Sequence, residues 1–198
     1  MGLDLDYING QTPLDEDEKE GLLISTITTR GELDEFEQKN IEEAILWIYG
    51  KKLNLEHVLS EEFIRKLHIL MYGHVWALAG EFRKTNKNIG VDKWQISISL
   101  RTLIGDMLFW VTNKIYTEDE IAIRFKHRLV SIHCFANGNG RHSRLMADII
   151  IEKIFNKNVF TWGSANLSKE SDSRKNYLIA IRKADDGEIG LLMEFARQ

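Results

Sequence analysis

Apolar residues recur every three or four positions along most of the chain, the spacing of one face of an α-helix. Leu33, Phe36, Ile41, Ala44, Ile45 and Ile48 lay out the first such stripe. Thr29-Arg30-Gly31-Glu32 ahead of it has the form of a capping box, and Gly50 behind it supplies a stop. Ser60-Glu61-Glu62 opens a second helix with Phe63, Leu67, Leu70 and Met71 on one face. Leu100, Leu103, Ile104, Met107, Leu108 and Val111 predict a third, and Ile121, Phe125, Leu129 and Ile132 a fourth that runs into His133. Ile123 and Val130 cover the far side of that fourth helix, so it is expected at the centre of the fold. Leu145, Met146, Ile149, Ile150 and Ile154 follow, then a helix over about 173–185 with Tyr177, Leu178, Ile181 and Ala184. Only Gly80 to Ile98 departs from this spacing. Its glycines, asparagines and lysines lead into the alternation Trp94-Gln95-Ile96-Ser97-Ile98, which predicts a short strand or hairpin. The expected fold is therefore all-α, a helical bundle with one small β element.

A length of 198 residues suits one domain, or one domain with an extension. The balance of 26 basic against 30 acidic residues, net charge -4, argues against an electrostatic nucleic-acid binder. One cysteine, Cys134, leaves no internal disulfide and fits a reducing compartment. The acidic start Met1-Gly2-Leu3-Asp4-Leu5-Asp6 does not resemble a signal peptide, and no apolar run approaches the roughly 18 residues of a membrane span. A cytoplasmic protein with no membrane and no nucleic-acid partner is expected. Before the first helix, Asp15-Glu16-Asp17-Glu18 and then Leu22-Leu23-Ile24 predict an arm packed on the domain. His57, His68, His74 and His127 show no ligand spacing, which argues against a zinc site.

The chemistry is concentrated in His133-Cys134-Phe135-Ala136-Asn137-Gly138-Asn139-Gly140-Arg141-His142-Ser143-Arg144. A helix ends in a histidine, a tight loop follows, and a new helix starts with two arginines. Gly138 and Gly140 permit positive φ and close backbone approach, so successive N–H groups can form an anion-binding nest at a helix N-terminus. Arg141 and Arg144 lie three apart, on one face of that helix, and suit a polyphosphate. His133, with an ordinary pKa near ~6.5, is placed to take a proton from an attacking hydroxyl. The amide oxygen of Asn137 could help hold a metal, though less strongly than a carboxylate.

This stretch resembles the signature of the Fic (Fido) family, HPFx[D/E]GNGRxxR, and is most similar to its small bacterial mobile mystery protein B type. Cys134 stands in place of the usual proline, and Asn137 in place of the usual Asp or Glu. Gly80-Glu81-Phe82-Arg83 resembles the approach to the family's target-binding flap, and Tyr177 with Ala184-Asp185-Asp186-Gly187 its nucleotide-side helix. The resemblance implies a Fic-type helical bundle with a β-hairpin flap over 59–198, preceded by an arm and helix over 1–58 that is a candidate regulatory part. It implies a Mg²⁺-dependent transfer of AMP from ATP to a Tyr, Thr or Ser hydroxyl of a target protein, with His133 as base. Phe135 would anchor the loop and Asn137 would take the metal position. Gly138, Asn139 and Gly140 would wrap the phosphates, Arg141 and Arg144 would bind the leaving pyrophosphate, and Tyr177 would lie beside the nucleotide. Lys87, Asn88, Ile89, Gly90, Gln95 and Ile96 would pair with the target by strand addition. The family's inhibitory glutamate has two candidate counterparts, Glu32 and Glu20, unless a separate antitoxin chain supplies one. The alternatives are a catalytically silent, toxin-like interaction module, or a relative that transfers another nucleotide or phosphoryl group.

Overall fold

The computed structural model describes residues 14–163 and 170–198. The first 13 residues of the expected arm, Pro13 among them, lie outside the described residues. The arm continues as a short acidic helix, α1 (Glu16–Lys19). Behind it Leu22 forms an antiparallel bridge with Trp76, and Leu23 N–H donates to Val75 O at 2.9 Å. The apolar stretch after the acidic run is thus laid against the body of the fold.

Helix α2 (Arg30–Tyr49) starts where Thr29 accepts from Glu32 N–H and Glu32 reaches back to Thr29 N–H, the reciprocal capping expected. Its buried face differs from the expected stripe. Leu33, Ile41, Ala44 and Ile48 are buried, but Phe36 and Ile45 are exposed, and Glu37 and Asn40 take inward positions. Helix α3 (Leu55–Val58) precedes α4 (Glu61–Tyr72), which is capped by Ser60, packs along α2 and buries Phe63, Ile64, Leu67 and Met71.

The expected β-hairpin is absent: among the described residues the extended pairings are two isolated bridges, Leu22 with Trp76 and Phe82 with Phe135. Trp94-Gln95 instead belong to a 3₁₀ turn over Lys93–Gln95, and Ile96 begins helix α5 (Ile96–Asn113). The carboxylate of Asp92 accepts from Trp94 N–H and starts the turn. Ile96, Leu100, Leu103 and Met107 then bury one helical face, and that long stripe outweighs a five-residue alternation.

Helix α6 (Glu118–Ile132) holds the expected central position, packed against α5, α7 and α9. Helix α7 (Asn139–Ile149) passes into a π turn over Ile150–Ile154, and α8 (Glu170–Asp185) and α9 (Gly190–Arg197) close the bundle. Among the described residues, no helix is long and apolar enough to cross a membrane.

Candidate active site

Helix α6 stops because His133 adopts the left-handed conformation, φ 57°. Strain of this kind at a non-glycine residue persists only where its surroundings hold it. Here Phe135 bridges to Phe82, and Arg83 N–H donates to Cys134 O at 2.9 Å. The buried Arg83 side chain donates to His133 O at 2.7 Å, to Thr85 O at 2.8 Å and to Val91 O. One guanidinium therefore ties the backbone at the end of α6 to both ends of the 85–91 loop. Gly90 lets that loop lie directly on His133. Its φ is 98°, and a Cβ there would sit 2.7 Å from His133 Cβ.

The turn after Phe135 is held by Asn139. Its Oδ1 accepts from Phe135 N–H at 3.0 Å and its Nδ2 donates to Phe135 O at 2.7 Å. The Asn139 side chain is consumed in this staple, leaving only its backbone for a ligand. Gly138, φ 69°, caps α7 without a side chain, and a Cβ there would be 2.5 Å from the Tyr72 ring. No side chain caps α7, so its leading N–H groups are not taken up by a capping side chain. At Gly140 a Cβ would meet nothing within 4 Å, so open space lies over that turn.

His68 is the residue that sequence reasoning missed in this loop. It is fully buried, stacked on Phe135 with ring centroids 3.8 Å apart. Its Nδ1 accepts from Gly80 N–H at 3.0 Å, so the proton resides on Nε2, which donates to Asn137 O at 3.2 Å. Burial holds its pKa well below the usual histidine range. His142 is buried and bonded through Nε2 to Ile64 O at 2.9 Å. Phe135 lies between these two rings and anchors the loop in the core, as expected.

His133 is 6% exposed, and its pKa is lowered to about 4 by burial first, then by the cations Arg83 and Lys87. It is neutral at physiological pH, the state a general base requires. Asn137 is half-buried, and its Oδ1 is a buried acceptor without a hydrogen-bond partner.

The two arginines do not act as an equivalent pair. Arg141 turns toward α2, where Glu37 takes its guanidinium; Glu37 is 2% exposed and also accepts from Trp76 Nε1 at 2.6 Å. Against burial, which lowers it, the neighbouring Tyr72 phenol and this buried carboxylate raise the already high pKa of Arg141. Arg144 turns toward α8 and lies 5.6 Å from the Tyr177 ring centroid, and among the described residues it forms no ion pair. Asp148, four positions on, is engaged elsewhere with Trp162 and Phe160. An open groove of about 470 Å³ borders Arg141 on the α2 side. Asp34, Glu35 and Glu42 line it together with Gln38 and Lys39, and its three carboxylates outnumber the two cations Lys39 and Arg141, which disfavours a polyphosphate there.

Neither candidate inhibitory glutamate reaches an arginine. The Glu32 carboxylate is used in capping, accepting from Thr28 N–H at 2.9 Å and Thr29 N–H at 3.0 Å. Glu20 is exposed at the end of α1. The carboxylate on the motif is Glu37, which lies in no recognisable sequence motif.

The expected flap residues divide. Asn88, Ile89 and Gly90 are exposed beside His133, and Gln95 is exposed in the 3₁₀ turn. Ile96 is 1% exposed in the core and cannot meet a target. The Lys87 side chain is 4% exposed, held by Asp15 at 2.9 Å and Glu18 at 2.5 Å. Tyr177 hydrogen-bonds the buried Lys126, a residue sequence reasoning also passed over. Its only signal was register: Ala122, Ile123, Leu129 and Val130 lie three and four positions either side of it, on the same helical face.

Residues 58–151 match the family model of the Fic/DOC family. A protein of Aedes aegypti described as protein adenylyltransferase Fic is 24% identical over 159 residues, 78% of this chain and 30% of the mosquito protein. Fic-1 of C. elegans (residues 134–508) superposes with a TM-score of 0.68 at 20% identity, over 90% of this chain and 51% of that one. BepC of Bartonella tribocorum, solved with AMPPNP bound, gives 0.67 at 16% identity, over 92% and 97% of the two chains. The chain thus spans less than a third of the mosquito protein and about half of the worm structure.

Proposed function

We propose, on the premise that the chain carries a Fic/DOC-family domain, that it transfers AMP from ATP to a Tyr, Thr or Ser hydroxyl of a target protein. One observation carries this reading: a neutral histidine ends α6 beside an uncapped helix N-terminus whose first turns hold two arginines. Nothing in that arrangement reads a base or a sugar, but all of it suits hydroxyl activation next to a polyphosphate.

In the mechanism, His133 takes the proton of the target hydroxyl as its oxygen attacks the α-phosphorus. The bond to the bridging oxygen breaks and pyrophosphate leaves. The N–H groups at the start of α7 hold the phosphate chain, and the space over Gly140 lets it approach closely. Arg144 takes charge of the leaving group, and Arg141 joins it when it parts from Glu37. Mg²⁺ fits Asn137, whose buried Oδ1 lacks a partner, while the described residues hold no cluster of three or more His, Cys, Asp or Glu. One neutral ligand suits an ion shared with phosphates, and such an ion would neutralise their charge. The target chain would pair along exposed Asn88–Gly90, and the loop must give way for its hydroxyl to reach the buried His133.

Incubation with α-labelled ATP should place label on protein, and His133→Ala should abolish it. Label arriving from γ-labelled ATP instead would mean phosphoryl transfer. The second reading, a silent interaction module, is favoured by the Glu37 hold on Arg141 and the neutral Asn137. Calorimetric titration with ATP and Mg²⁺ separates the two, since a silent module takes up no nucleotide.

A further inference from the structure

Lys126 is fully buried in the middle of α6, where an unpaired ammonium would lose several kcal/mol of hydration by rough estimate. Its Nζ donates to Tyr177 Oη at 2.6 Å and lies 4.5 Å from that ring's centroid. Arg144 addresses the same ring, so two basic side chains from α6 and α7 meet on one tyrosine of α8. Among the described residues neither forms an ion pair. Tyr177 and Arg144 are half-buried, while Lys126 lies beneath them.

We infer that Lys126 is a positioning residue for the phosphate grip, one that takes up a proton when a polyphosphate docks on Arg144 and Tyr177. This rests on the nucleotide reading of the site. Without an anion, burial and the neighbouring guanidinium disfavour a charge on the amine, which bonds the phenol. When phosphate oxygens arrive at Arg144, their negative charge offsets the repulsion and a proton from solvent joins Nζ. The ammonium then donates to Tyr177 Oη, and the Tyr177 O–H is left to donate outward to phosphate.

The direction of the titration agrees. Burial, then Arg144, hold the Lys126 pKa well below the usual lysine range, and Asp185 of α8 opposes them weakly while bonded to His127. Arg174 of α8 also acts on Tyr177 and adds to the positive surroundings, while several charged groups on the other packed elements are engaged elsewhere. Asp106 of α5 pairs with Arg128, Arg197 of α9 with Asp119, and Lys153 of the π turn with Glu152.

The test is calorimetric titration with ATP and Mg²⁺ at pH 8, in two buffers of different protonation enthalpy. A His133→Ala background keeps the nucleotide intact and removes that histidine's own titration. Binding should draw a substantial fraction of one proton from the buffer; Lys126→Met should abolish that uptake and weaken Kd by about tenfold. Lys126→Met should fold, since a buried amine is replaced by an apolar chain of similar length. A purely structural lysine would not alter proton stoichiometry. Equal enthalpies in the two buffers for the parent protein, or uptake unchanged in Lys126→Met whatever its Kd, overturns the inference and leaves the nucleotide reading standing. Failure of the parent to bind ATP at all overturns both.

Discussion

Glu37→Gln is the most informative single change. Glu37 is 2% exposed and serves two buried partners: one oxygen takes Trp76 Nε1 and the other takes Arg141. Glutamine keeps an amide oxygen for the indole but sets an NH₂ against the guanidinium, donor to donor. Breaking a buried ion pair by altering one partner costs about 3–5 kcal/mol. Arg141 retains 31% side-chain exposure, so water recovers part of its charge, and about 2–3 kcal/mol is the fitting value. For a chain of this size that lowers Tm by roughly 5–10 °C in a thermal melt. Trp76→Phe removes the other bond, and the double-mutant cycle should show coupling of about 1 kcal/mol because both bonds share one carboxylate. The same variant frees Arg141, so ATP with Mg²⁺ should bind about three- to tenfold tighter. A Tm within 1–2 °C of the parent, about the reading error of the melt, would mean that the pair contributes nothing and that Arg141 is already solvated.

Three further outcomes follow from the same geometry. Gly90→Ala forces a Cβ against His133 Cβ at 2.7 Å and Arg83 Nη2 at 2.9 Å from a φ of 98°. The 85–91 loop should lift at a cost of about 2–3 kcal/mol, with faster hydrogen exchange at the Val91 amide and at least a roughly tenfold loss of labelling activity. The acid limb of kcat/KM should lie near pH 4, not at the usual histidine value, because the base form of His133 is lost only as pH falls through its lowered pKa. Asp148, bonded to Trp162 and Phe160, has its pKa pushed up to about 6 chiefly by burial. A carboxyl raised in the fold is stabilising while protonated, and that contribution fades as pH rises from about 4 to 6. Asp148→Asn should therefore gain on the parent by about 3 kcal/mol across that window in denaturant titrations, and a pH-independent difference would refute it.

The helices and the turn between α6 and α7 were legible in the sequence because their causes are local. Caps at Thr29 and Ser60, stripes repeating every three or four residues, and left-handed Gly138 ahead of two arginines all act within a few positions. Trp94 to Ile98 misled for the same reason. Five alternating residues suggest a strand until Asp92 starts a turn and Ile96 to Met107 bury a helical face. The inhibitory search misled differently, since it looked for a motif, whereas the carboxylate on Arg141 lies 104 residues away on a helix whose own periodicity gives Glu37 no mark.

By itself the sequence determined a helical bundle and a loop that presents main-chain amides, a histidine and two guanidiniums. Periodicity and capping involve neighbours along the chain, and neighbours can be read in order. Only the tertiary structure decided that Glu37 holds one arginine, that Lys126 and Tyr177 lie beside the other, and that Arg83 and His68 brace the loop from either side. Those contacts join distant segments, and the protonation of a buried group is set by whatever the fold packs around it.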